Sequence, residues 1–287
     1  MMDHVRWSDH PRLRRPVLVA AFEGWNDAAD AATTAGRYLL DRWDARPFAT
    51  IDPEIFYDFS STRPQVHLAD GITREIIWPS NELSAGTLPR TQRDVVVLLG
   101  VEPQLRWRTF CEQVVGIARE LGVEMMLALG ALLADVAHSR PVRVTGTAAD
   151  PDLVARLGLE RSRYEGPTGI VGVLHDACRQ AGIPSASLWA AVPHYVAATP
   201  SPKAALALVQ RTSSLLSSPV LTTDLELAAA DYERQVTEVV ESDDDVAGYV
   251  RQLEERVDEL DEAEANLPSG DALAAELEKF LREHGGD

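Results

Sequence analysis

The run PVLVAAFEGWNDAADAATTAGRYLL, residues 16–40, carries the reading of the fold. Its first seven residues are apolar without alternation, as in a strand buried on both faces of a sheet. FEGWND then turns the chain at Gly24, and an alanine-rich helical pattern follows. A strand that ends in a glycine turn and opens a helix is the repeating unit of an α/β sheet, and ligands usually sit at such carboxyl ends. The same residues also make an ordinary turn and cap, with Asn26 or Asp27 at the head of the helix and Glu23 toward a crevice.

Working outward, comparable runs recur at 94–103, 123–132, 142–149 and 186–196, with helical patterns at 27–43, 105–121, 151–157, 169–181 and 202–217. This alternation predicts helices on both faces of a mainly parallel sheet. VHLADGITREIIW, residues 66–78, reads as two strands joined by Ala69-Asp70-Gly71, a hairpin that makes the sheet mixed. The expected fold is a three-layer α/β/α sandwich over residues 1–222, followed by a helical extension over 223–287.

That extension has its own character. The net charge of the 287-residue chain is -18, yet residues 1–223 carry only -2 and residues 224–287 carry -16. Thr223 and Glu226 form an expected capping box. Val246, Val250, Leu253, Val257 and Leu260 follow at spacings of 4, 3, 4 and 3, a heptad seam on an acidic helix that calls for a partner. The expected arrangement packs residues 223–240 on the body and projects the seam toward a neighbour or a protein client. NLPSGD, 266–271, separates it from a last short helix at 272–282.

The charge balance excludes a nucleic-acid surface. The amino-terminal residues hold no apolar core of a secretion signal, and no run approaches the roughly 18 apolar residues of a membrane span, so the protein is expected in the cytoplasm and off membranes. Cys111 and Cys178 fall inside helical patterns and read as reduced, buried side chains. Nucleotide-binding, nucleophile-elbow and zinc motifs are missing, only Lys203 and Lys279 supply lysine, and the histidines lack ligand spacing. No metal or cofactor is expected.

Four loops remain at expected carboxyl ends. The first holds Glu23, Asn26 and Asp27. The second holds Glu102 with Arg106, either site residues or a buried ion pair. The third, VTGTAAD, sets Thr145 and Thr147 around Gly146 as anion donors, unless Asp150 simply caps the helix at Pro151. The fourth is YEGPTGIVG, where Thr168 opens a helix; His194, in PHYV, ends the last strand.

Together PVLVAAFEGWNDAADAA, RPVRVTGTAADPDL, YEGPTGIVGVLHDAC and LWAAVPHYVAATPSPKAALALV resemble the proteasome assembly chaperone 2 family, in its actinobacterial branch, over about residues 15–260. The resemblance implies a fold like that of purine nucleoside phosphorylases, self-association into oligomers such as trimers, and, in relatives, a role in assembling proteasome rings. Catalysis is not implied. The reading favours a non-enzymatic, oligomeric protein-binding or assembly-chaperone-like protein. The alternative is an enzyme or sensor for a nucleoside or phosphate-bearing ligand, in which Glu23, Glu102 and His194 would converge on one pocket; Arg106, Glu102 and His194 are the nominees for phosphate, purine and ribose.

Overall fold

The computed structural model describes residues 2–265, with side chains through residue 259. In chain order the elements are β1 (Val5–Trp7), β2 (Val17–Glu23), α1 (Ala31–Arg42), β3 (Arg46–Ile51), β4 (Gln65–Ala69), β5 (Thr73–Ile77), β6 (Asn81–Thr87), β7 (Asp94–Val101), α2 (Trp107–Glu120), β8 (Met125–Ala134), β9 (Val144–Ala148), α3 (Pro151–Leu157), α4 (Ile170–Ala181), β10 (Ser185–Pro193), α5 (Pro202–Leu215), α6 (Thr223–Glu241) and α7 (Asp244–Ala265). The helix expected at 272–282 lies outside the described residues.

Eight strands form one sheet in the order β1-β3-β6-β7-β2-β8-β10-β9. The central four, β7, β2, β8 and β10, pair in parallel. β1, β3 and β6 add antiparallel neighbours on one flank and β9 on the other. The sheet is therefore mixed, but not through the hairpin. β4 and β5 do pair across the expected turn, with Asp70 and Gly71 at positive φ, yet they form a separate two-stranded sheet.

β2 shows why the centre reads as a continuous apolar run. Val17, Val19 and Ala21 face a core shared with α1 and α5, while Leu18, Ala20 and Phe22 face a second core shared with α2 and α4. Both faces are covered, so both alternating sets must be apolar. This is the three-layer α/β/α arrangement. Cys111 and Cys178 are free and buried in the second core, where desolvation pushes both thiols up to about 12.

α6 and α7 close on the body through a third cluster. Ala137, Tyr232, Val236, Val240, Val250 and Leu253 are buried together, with Val246 and Tyr195 packed beside them. A polar staple runs alongside: the Tyr195 hydroxyl donates to His138 Nδ1 at 2.9 Å and accepts the His138 N–H, and His138 Nε2 reaches Thr237 Oγ1 at 3.1 Å. The seam thus turns inward rather than projecting. Val250 and Leu253 cover the chain's own α6, Val257 is half-buried beside Arg143 and Thr145, and the Leu260 side chain lies outside the described residues. The capping box is also corrected by one residue: Thr222 is the N-cap, its hydroxyl bonds Glu226 at 2.6 Å, and its side chain caps no backbone N–H.

Candidate functional site

Because β2, β7, β8 and β10 are parallel, their carboxyl ends line one edge of the sheet, and three of the four expected loops meet there. Gly24 takes φ 124°, which only glycine adopts without strain, and folds the chain so that Asn26 and Asp27 turn inward. Asp27, buried, accepts the N–H groups of Ala32 and Thr33 at 2.6 and 3.2 Å together with the Thr33 hydroxyl. It satisfies donors at the head of α1, where Asp30 itself provides no side-chain cap. Desolvation raises the Asp27 pKa above the usual carboxylate range, and the hydrogen bonds from Thr33 and Ala32 offset part of that rise.

Asn26 does not cap the helix. It is 3% exposed, and its Nδ2 donates to Glu102 Oε1 at 3.0 Å. Glu102 Oε1 also accepts the Ile170 N–H at 2.7 Å, and Oε2 accepts the Trp25 N–H at 3.3 Å. One carboxylate thus joins the loop after β2, the loop after β7 and the head of α4. Gly169, the N-cap of α4, has no side chain to offer, and Glu102 supplies the negative charge that a helix amino terminus favours. A Cβ at Gly169 would run into the Asn26 amide and the Glu102 carboxylate, so glycine is needed for this approach.

The remaining nominees separate. Glu23 is paired with Arg37 and faces a neighbouring cavity bounded by α1 and the base of the hairpin. Arg106 is exposed, starts α2 at φ 51°, and makes no ion pair with Glu102 among the described residues, so the expected pair is not formed. Thr145 and Thr147 lie on β9, which runs antiparallel to β10, so the VTGTAAD loop emerges at the opposite edge. There Thr147 bonds Ser187 at 2.9 Å, and Asp150 caps α3 by accepting from Asp152 and Leu153. His194 sits at the correct edge but stacks edge-on with Tyr195 and Tyr249 and faces Asp135 at 3.3 Å. Glu23, Glu102 and His194 therefore do not converge.

What the edge does hold is an open cavity of about 500 Å³ lined by Trp25, Asn26, Ala28, Ala131, Leu132, Leu133, Tyr164, Pro167, Thr168 and Trp189. Its walls are aromatic and aliphatic, and no charged side chain lines it. The exposure of Trp25, Leu132, Leu133 and Tyr164 continues this surface onto the rim. Of the nominees only Asn26 and Thr168 reach it. The aromatic walls were not singled out from the sequence; the signal was a tryptophan inside a turn, where an apolar ring has no core to fill.

The family model described as PAC2 family matches residues 21–240. A PAC2 family protein from Streptomyces avermitilis is 48% identical, with 82% of this chain and 99% of that chain covered and a TM-score of 0.77. A Mycobacterium tuberculosis proteasome-assembly chaperone homologue is 47% identical over the same shares, with a TM-score of 0.75. An archaeal proteasome activator from Pyrococcus furiosus, at 18% identity, 82% and 97% coverage and a TM-score of 0.64, shares the fold. Among curated proteins none matches the chain.

Proposed function

The chain belongs to the PAC2 family, and from that premise we propose that it is a non-enzymatic, self-associating protein-binding protein of the cytoplasm that acts in the manner of an assembly chaperone. Its clients are subunits of a proteasome-type particle, the role carried in the name of its mycobacterial relative. The architecture is read as phosphorylase-like in this proposal, with the chemistry of that fold given up. One observation carries the reading. At the edge where an α/β protein places its chemistry, Glu102 and Asp27 give their oxygens to the protein's own N–H groups and to the Thr33 hydroxyl, and the cavity beside them is walled mainly by aromatic and aliphatic side chains. Such a patch suits a protein partner.

Crosslinking of the full chain in a native lysate, followed by gentle recovery, tests the proposal. Recovery of proteasome-type subunits at stoichiometric ratio is expected. Return of the protein alone, with and without crosslinker, overturns it.

A further inference from the structure

The cavity at the carboxyl edge has a chemistry narrow enough to name its occupant. Three rings, from Trp25, Tyr164 and Trp189, stand around it with Leu132, Leu133 and Pro167. A charged group would enter with no counter-ion in the lining, at a steep desolvation cost, so a phosphate-bearing ligand is disfavoured. Yet the wall is not wholly apolar. Asn26 is buried, its Nδ2 is committed to Glu102, and its Oδ1 receives no hydrogen bond among the described residues. The Thr168 hydroxyl beside it makes only a 3.5 Å contact to the Gly169 carbonyl. A flat ring with one donor would stack on the aromatic walls and satisfy the amide oxygen.

The rim argues for how that ring arrives. Trp25 is 65% and Tyr164 66% exposed, and Leu132 and Leu133 about half, so apolar surface extends past the reach of a single ring. An occupant attached to an extended chain would cover it. We propose that the cavity receives a donor-bearing aromatic side chain, Trp or Tyr, from an extended segment of a partner protein. This rests on the protein-binding reading above and identifies the feature of the client that is read.

Ligand-observed NMR titration of the full chain tests it, with N-acetyl-tryptophanamide, its ring-N-methyl derivative, N-acetyl-phenylalaninamide, and a nonapeptide with one central Trp flanked by leucines. Saturable binding of the tryptophan amide is expected. Ring methylation, which removes the donor, should weaken it at least fivefold, as should the change to phenylalanine. The nonapeptide should bind at least tenfold tighter than the amide. Leu133→Asp, at an exposed position, should cost the peptide at least tenfold with an unchanged melting temperature; Trp25→Ala should do the same if Leu133→Asp fails to fold. Leu227→Asp, at an exposed position on α6, should leave binding unchanged. No saturable binding, equal binding of the methylated probe, or indifference to both Leu133→Asp and Trp25→Ala overturns the proposal. A peptide no tighter than the amide overturns the protein source in favour of a free aromatic molecule. The two readings fail separately. Clients crosslinked equally by Leu133→Asp while the probes do not bind would remove the cavity and keep the chaperone role; bound probes with no crosslinked partner would do the reverse.

Discussion

Glu102 accepts three hydrogen bonds from residues 68 to 77 positions away in the chain, so its replacement should be felt as instability. Glu102→Ala is expected to cost about 2 to 3 kcal/mol, the scale of lost hydrogen bonds to a charged acceptor. Glu102→Gln should cost less, because one amide oxygen can keep the Asn26 and Ile170 contacts that share Oε1. Glu23→Ala, which breaks an exposed pair with Arg37, should change stability by less than about 0.5 kcal/mol. Urea unfolding of the three variants checks the order, and an equal loss for Glu23→Ala and Glu102→Ala would refute it. Distance also explains what the sequence could show. The cap by Asp150 was legible because the N–H groups it accepts from lie two and three residues on, whereas the role of Glu102 needed the fold. Two histidines add a pH dependence. Burial lowers the His175 pKa to about 4 and, with help from Lys203, lowers that of His138. An unfolded histidine takes its proton near 6.5 while these resist, so the unfolded state binds more protons and stability falls as pH drops from about 6.5 toward 4. His175 alone contributes at most about 3 kcal/mol to that fall. The urea midpoint at pH 5 should lie below that at pH 7.5, with a smaller gap in His175→Gln; an equal gap would remove His175 from the account. Asp27, whose pKa is raised, acts in the opposite sense as pH falls through its folded value.

At the scale of elements, strands with apolar residues on both faces were readable, and strands with little apolar content were not. β6, NELSAGT, has one large apolar residue, and β3 carries a proline, so neither shows a period. The direction of β9 had a usable signal: residues 135–143 between β8 and β9 hold no helix, too short a connection for a parallel crossover, so the strand returns antiparallel. That is why Thr145 and Thr147 left the site. The heptad seam was correctly apolar, but periodicity cannot name the surface it meets, and here that surface is α6. Removing residues 243–287 should expose Tyr232, Val236 and Val240 and lower the melting temperature while the two main cores stay folded, since neither core draws on α7. Leu253→Ala should reproduce part of this at about 2 to 4 kcal/mol for α7 docking. Hydrogen exchange resolved by segment checks it: protection should fall in α6 and persist in β2 and β8. Loss of protection throughout would make the extension part of the folding unit.

For the whole molecule, the acidic extension and the aromatic cavity leave the β4–β5 hairpin as an apolar surface without a role. Val66, Leu68 and Ile76 lie exposed on it, Ile72 at its turn is 86% exposed, and among the described residues the two strands pair with each other alone. A two-stranded sheet is marginal by itself in water, and each outer edge offers unpaired backbone groups to another strand. An identical hairpin from a second copy meets both needs at once, extending the ladder and covering the apolar face. Self-association, proposed above as part of the function, is therefore expected to run through this element. Ile72→Asp combined with Ile76→Asp should leave the melting temperature of the subunit within a few degrees, because neither side chain packs in a core, while placing like charges against each other across the contact. Light scattering at several concentrations should then report a lower mass than for the unaltered chain. An unchanged oligomer would move the contact away from the hairpin. A collapse in melting temperature would show instead that the hairpin is covered by its own subunit in solution.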